Sequence, residues 1–418
     1  GYGVEGFRRI AQIAKPCNNR EEGPDGSPRR RFLPPGEPTG PEAAHDLGVY
    51  AFALLGGCWR MDPEAPRSWW QWAGTHWKAT EGHDLLLAEV DLFLRMQDWR
   101  RAATPGAVAG IVASIRRQAG ELQPLHGVEF VPCRNGLLHV PSGELRPHHP
   151  ANGNTWALKF DWDPKADHAP IERFLLEALG DPASVAIFRA GARRMICGPR
   201  FKGFLEVPGP PDSGKSIIAN LLAALVGPDA CAAIELASLE DRSQRFETYR
   251  LRGRRLVIAS EAQDYHGPLE RLKALTGGDP VRAERKGSTA DVSFYFHGLV
   301  VVVGNAPIRS TDASAAVLNR RRLLPTPRAV PPEKQRPMLD RAPDGGWTGE
   351  LAPFLSGLLR WVLEMPPEEA TVALSREHSS PSRVEAELAA LIEGDNLAAW
   401  ADASLVFDPE ALPARVKT

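Results

Sequence analysis

The eight residues Gly209 to Ser216, GPPDSGKS, constrain this chain more than any other stretch. They lie between an apolar run, GFLEV, and an amphipathic one, KSIIANLLAALVG. The first pattern predicts a buried strand and the second a helix. A glycine-rich turn there aims backbone N–H groups into the turn, at the positive end of the helix dipole. That is a cradle for phosphate. The form G-x-x-x-x-G-K-S adds an ammonium for the terminal phosphates and a hydroxyl for Mg²⁺. The sequence therefore places Gly209, Pro210, Pro211, Asp212, Ser213, Gly214, Lys215, Ser216 and Ile217 around a nucleoside triphosphate, ATP with Mg²⁺. Lys215 takes the terminal phosphates and Ser216 the metal. Asp212 is out of keeping, because a carboxylate beside bound phosphate is unfavourable unless it points away.

Two further apolar runs, RRLVIAS and GLVVVVGN, follow at intervals filled by helical patterns. Strands apolar on both faces and alternating with helices predict a buried, largely parallel sheet, hence an α/β domain. The first run ends at Glu261, the candidate for polarising an attacking water and sharing the metal; otherwise it is an ordinary strand-end acid. The second ends at Asn305, whose amide suits a water or a γ-phosphate, or simply a turn before Ala306-Pro307. Next comes Asn319-Arg320-Arg321-Arg322. Such a run usually marks a solvated face, but one member is a candidate finger for a neighbouring subunit's nucleotide. Residues 281–296 read as a hairpin carrying Arg282, Arg285 and Lys286, either solvated or placed for a phosphate backbone.

The chain has 418 residues, enough for two to four domains. Its formal net charge of −2 excludes a global polycation, so nucleic-acid contact must be local. Five scattered cysteines without a C-x-x-C pair argue against zinc and disulfides and suit a reducing cytosol. No apolar run approaches the ~20 residues of a membrane span, and no signal peptide is evident. Gly1 is not a methionine, which points to trimming ahead of it and a possible missing N-terminal domain. Residues 1–45 read as a short amphipathic stretch and a Pro/Gly/Arg-rich linker. Residues 46–122 read as mainly helical, with the tryptophans at 59, 69, 70, 72, 77 and 99 as packing rather than base stacking. Residues 128–162 turn β-like, and helical patterns return after Pro331.

Taken in order, GPPDSGKS, LVIASEA, LKALTGGDPVRAERK, LVVVVGNAPI and NRRRLLP resemble a superfamily-3 helicase. The branch is that of the phage and plasmid primase–helicases, which includes the poxvirus primase–helicase. Upstream, WWQWAGTHW, NGLLHVPSGELRPHHP and FDWDPKADHAPIERFL are similar to the segment preceding the ATPase there. The resemblance implies an AAA+ P-loop ATPase over 170–330, preceded by a helical and small-β domain over 46–169 and followed by a helical segment over 331–418. It implies a hexameric ring that moves on single-stranded or forked DNA in a bacterial host's cytoplasm, with a primase domain or protein as partner. It assigns catalysis to Lys215, Glu261, Asn305 and Arg320, with Arg321 as the alternative finger, and DNA contact first to Lys286. The sequence departs from the pattern at Ser260, where a second acid is common, and at Thr326, where phenylalanine is frequent. Asp161 and Asp163 form a D-x-D without a surrounding primase half. Two other readings stay open: an origin-melting replication initiator, and an AAA+ NTPase acting on a non-DNA substrate.

Overall fold

The computed structural model describes residues 59–62, 65–80, 83–96, 104–122, 129–198, 200–241, 243, 245–260, 266–284, 291–310, 316–375 and a few single positions beyond. The linker expected over 1–45 lies outside these residues. Two units are present, one ending at Trp162 and the other starting at Asp163.

The first unit opens not with helix but with an antiparallel sheet of β1 (Trp59–Asp62), β2 (Ala65–Trp72) and β3 (Trp77–Thr80). The helical expectation fails here because tryptophan favours a pleated, half-buried surface. A tight turn between β2 and β3 uses Gly74 at φ +89, a left-handed conformation that glycine adopts freely. Trp59 and Trp69 meet edge to face with ring centroids 6.2 Å apart. Trp72 and Trp77 do the same at 5.6 Å. All four are buried, in keeping with their reading as packing. Helices α1 (His83–Met96) and α2 (Pro105–Ala119) close over Trp59 and Trp69 with Leu86, Val90, Leu94, Ile111 and Ile115. Thr104 caps α2 by accepting the Ala107 N–H, and Pro105 occupies the first turn, where its missing N–H is no loss. A second small sheet follows: β4 (Phe130–Cys133), β5 (Gly136–His139) and β6 (Glu144–Arg146).

The second unit begins with α3 (Ala169–Leu179) and α4 (Pro182–Cys197). Its centre is a five-stranded, all-parallel sheet. In chain order the strands are β7 (Phe204–Pro208), β8 (Cys231–Glu235), β9 (Leu256–Ser260), β12 (Leu299–Gly304) and β13 (Arg321–Leu323). Between them come helices α5 (Lys215–Ala224), α6 (Leu236–Glu240), α7 (Arg245–Tyr249), α8 (Glu270–Gly277) and α9 (Ala316–Arg320). The hairpin β10 (Val281–Glu284) and β11 (Asp291–Phe294) stands outside the sheet. Across the sheet the order is β13-β7-β12-β9-β8, so the fourth strand in sequence inserts beside the first. Each pairing is parallel, for example Val301 with Leu205 on one side and Ile258 on the other. The expected parallel α/β sheet is present. It forms because β7, β9 and β12 are almost wholly apolar and meet side chains on both faces.

After β13 this unit continues into α10 (Leu355–Glu364) and α11 (Pro367–Ala373), packed on α4. Arg189 Nε donates to the Trp361 carbonyl at 2.8 Å and Arg193 Nη1 to that of Leu363 at 2.9 Å. Two cations one helical turn apart thus satisfy the last carbonyls of α10, at the negative end of its dipole.

Candidate functional site

Parallel strands deliver all their C-terminal ends to one edge of the sheet, where the glycine loop and Asn305 lie, whereas Arg320 precedes β13 and so sits at the opposite edge. β7 runs directly into the glycine loop, and the loop into α5. Gly209 is tied to the neighbouring strand, its N–H donating to the Gly304 carbonyl at 3.2 Å. Asn305 follows Gly304 and is exposed beside this junction. The loop turns through two left-handed residues, Asp212 at φ +58 and Gly214 at φ +90. Gly214 caps α5, and the amides of Ile217 and Ile218 return to its carbonyl. A side chain at Gly214 would also meet the Phe174 ring of α3 at 3.4 Å. Asp212 is exposed, and Ser216 stands exposed in the first turn of α5.

Lys215 folds back over the loop. Its Nζ donates to the carbonyls of Gly209 at 2.8 Å and Pro210 at 2.5 Å and lies 3.5 Å from Ser213 Oγ. Burial lowers its pKa from the ordinary lysine value, and the Asp212 carboxylate pulls it back up. The ammonium therefore rests on two carbonyls of its own loop. For Mg²⁺ the described residues offer the Ser216 hydroxyl; they contain no group of three or more His, Cys, Asp or Glu placed to hold a metal. Glu261 follows β9 directly and lies outside the described residues, as do Arg285 and Lys286. Ser260 ends β9 opposite Glu235 of β8.

The three arginines do not share a solvated face. Arg320 is half-buried and donates from Nη1 to the Lys273 carbonyl in the middle of α8, 2.7 Å away. Arg200 does the same to Leu275 at 2.6 Å. Arg321 is buried, with Nη1 3.5 Å from Glu206 Oε2 in β7. Arg322 is buried too, donating to the Leu374 carbonyl at 2.7 Å and lying over the Phe201 ring. The usual reading of a charge run fails because β13 pairs with β7 under the helical layer, where each guanidinium needs its own acceptor. Arg321 is thereby withdrawn from any surface where an intersubunit finger would work. Arg282 is exposed on β10. In the D-x-D, Asp161 makes a bidentate pair with Arg134 at 2.8 and 2.7 Å, while Asp163 accepts the Lys165 amide.

Two contributors are not evident from the sequence. Glu206 is the acid in the loop strand. Its Oε1 accepts the Ile308 N–H at 2.5 Å, and its side chain is 2% exposed. Burial raises its pKa; Arg321 and the Ile308 amide oppose the rise. An acid inside an apolar strand, matched by an arginine in another, was the available signal. The other is Thr326, fully buried after β13. Its N–H donates to the Pro208 carbonyl at 2.9 Å, and its hydroxyl meets Ser213 Oγ at 2.7 Å. Four residues on, the Val330 N–H reaches the Asp212 carbonyl at 2.9 Å.

Comparison with known proteins finds two successive matches along the chain. Residues 54–180 match the family described as D5 N terminal like. Residues 207–322, from the end of β7 into β13, match a family of unknown function, DUF5906. A curated relative, the uncharacterized mitochondrial protein ymf20 of Marchantia polymorpha, is 29% identical over 116 residues, 28% of this chain and 68% of that protein. Among solved structures, the apo A form of the NrS-1 C-terminal region matches with a TM-score of 0.50 at 13% identity, over 87% of this chain and 83% of that one. Two successive segments of the chain thus match the D5 N terminal like family and DUF5906, and the chain is similar in fold to the C-terminal region of NrS-1.

Proposed function

We propose that this chain is an ATP-dependent DNA helicase of the AAA+ type, working as a ring on single-stranded DNA in phage or mobile-element replication. The observation that carries the reading is the order β13-β7-β12-β9-β8 with the glycine loop at the end of β7. That order puts the Asn305 strand beside the loop strand and the strand leading to Glu261 next to it. A water attacking the terminal phosphate would then face an acid and an amide from adjacent strand ends. The D5 N-terminal-like segment upstream and the motif order described above support the replicative setting.

In this mechanism Lys215 leaves the Gly209 and Pro210 carbonyls for the β- and γ-phosphates. The N–H groups at the start of α5 complete the cradle. Ser216 and Glu261 would hold Mg²⁺, which neutralises charge on the terminal phosphates. Glu261 orients the water and Asn305 holds it or the γ-phosphate. Arg320 of a neighbouring subunit stabilises the charge that develops in transfer, which makes the site complete only in an oligomer. Arg282, Arg285 and Lys286 of the hairpin contact the DNA backbone.

The test is ATP hydrolysis with and without single-stranded DNA, read beside the mass of the assembly. Wild type should hydrolyse ATP faster when DNA is added, and Lys215→Ala should lose at least about 100-fold in rate. Wild-type turnover in Lys215→Ala would remove the loop from the reaction. Hydrolysis indifferent to DNA would remove the helicase reading.

A further inference from the structure

The segment after β13 leaves the sheet and runs along the outer side of the glycine loop. It touches the loop at both ends, Thr326 at Ser213 and Val330 at Asp212. The approach at Gly209 is close enough that a Cβ there would lie 2.1 Å from Thr326 Oγ1 and 2.3 Å from its carbonyl oxygen. Two hydroxyl protons serve the polar chain inside this contact. Ser213 Oγ has the Pro210 carbonyl as an acceptor at 2.8 Å and Thr326 Oγ1 has the Pro208 carbonyl at 3.2 Å; whichever hydroxyl donates, the two oxygens share a hydrogen bond at 2.7 Å. The remaining lone pair of Ser213 then faces the Lys215 ammonium at 3.5 Å. Thr326 and Ser213 are both buried, so neither hydroxyl has water to fall back on.

We propose that Thr326 is a positioning residue of the triphosphate site, fixing through Ser213 the loop wall on which Lys215 rests and against which the phosphates bind. This rests on the triphosphate reading given above. When Lys215 moves to the phosphates it gives up its contacts with the Gly209 and Pro210 carbonyls. Ser213 must stay in place during that exchange, and its hydrogen bond with Thr326 is what holds it. The residue acts on the shape of the cradle, not on the reacting atoms. Its loss is therefore read in nucleotide affinity more than in turnover.

The experiment compares Thr326→Val, Thr326→Ser, Ser213→Ala and the double variant Thr326→Val/Ser213→Ala in the full chain, by equilibrium binding of ATP and by steady-state hydrolysis. Removing one buried hydrogen bond should raise the ATP Kd and KM of Thr326→Val about 3–10-fold with kcat within about 2-fold. Thr326→Ser keeps the donor and should return to within about 2-fold of wild type. The double variant should bind no worse than the weaker single one, because both remove the same contact. Equal Kd in Thr326→Val and wild type, multiplicative losses in the double variant, or a kcat effect without a KM effect would each overturn the assignment. Thermal midpoints report whether the valine variant folds. Should it not, the serine variant and the Ser213→Ala comparison carry the test. Wild type failing to bind ATP would instead bring down the triphosphate reading, and this inference with it.

Discussion

The buried pair Glu206–Arg321 lies directly under the loop, and cutting it gives a prediction with an unusual signature. Arg321→Met keeps most of the side-chain volume and removes the only cation facing Glu206 Oε2 at 3.5 Å among the described residues. At an effective dielectric of about 20, the lost attraction is about 5 kcal/mol. The protein need not bear that whole cost, because the stranded carboxylate can take a proton. Burial already raises the Glu206 pKa above its ordinary value of 4.5, and Arg321 is the largest influence opposing the rise. Protonating such a group at pH 7 costs at most about 3 kcal/mol, from the gap of about 2.5 pH units. The variant should therefore lose at most about 3 kcal/mol at pH 7, within the range for breaking one side of a buried pair. The sign follows from linkage. The folded variant holds a proton that the unfolded chain has released, so its stability falls as pH rises above the unfolded value and recovers as pH falls. Between pH 7 and 5 its stability relative to the charge-free double variant Glu206→Gln/Arg321→Met should rise by about 1.4 kcal/mol per unit. Urea unfolding at several pH values measures it. Glu206→Gln/Arg321→Met, which keeps an acceptor for the Ile308 amide but no charge, should show no such slope. A difference between Arg321→Met and that double variant that stays constant between about pH 5 and 7 would refute the reasoning.

Two further outcomes follow from the geometry. Asp212 holds φ +58 and carries a carboxylate that raises the Lys215 pKa. Asp212→Gly should stabilise the fold by about 1 kcal/mol and tighten ATP binding about 2–5-fold, checked by urea unfolding and equilibrium titration; weaker binding would mean the carboxylate serves the site. Cys133 is buried in β4, and burial pushes its pKa up to about 12 from 9.0. In native protein at pH 8 it should resist iodoacetamide, while denatured protein reacts within minutes. The unfolded chain ionises first on the alkaline side, so this group's contribution is intact below pH 9 and falls by about 1.4 kcal/mol per unit from pH 9 to 12. Cys133→Ala should lack that slope.

What the sequence disclosed and what it withheld divide by range. The loop was legible because its chemistry is local: strand, glycine turn, lysine and helix lie within one continuous stretch, and the sheet strands announced themselves by being apolar throughout. Asn305 arriving beside the loop follows only from β12 inserting next to β7, which no local pattern encodes. The tryptophan-rich segment misled because bulky apolar residues at short spacing fit a helical face as readily as a pleated one, and the turn at Gly74 was a weak signal. Thr326 was visible as an unexpected residue type. Its partner Ser213 lies 113 positions away in the chain, so its role was not.

The arginine run shows most clearly how pairing decides what a residue is free to do. Three adjacent guanidiniums meet three different acceptors: the carbonyl of Lys273, the carboxylate of Glu206 and the carbonyl of Leu374. Two of these tie the edge strand β13 to β7 and to the end of α11, because an unpaired cation at that depth would cost several kcal/mol. Only Arg320 keeps exposure, and its partner is a single carbonyl of α8, an interaction worth roughly 1–3 kcal/mol. A γ-phosphate offers a guanidinium a stronger, bidentate partner than a carbonyl does. In the proposed ring Arg320 is therefore the one arginine of the run that can exchange partners without unmaking β13. The buried pair beside it also fixes the strand that continues into Thr326 and the wall of the same subunit's loop.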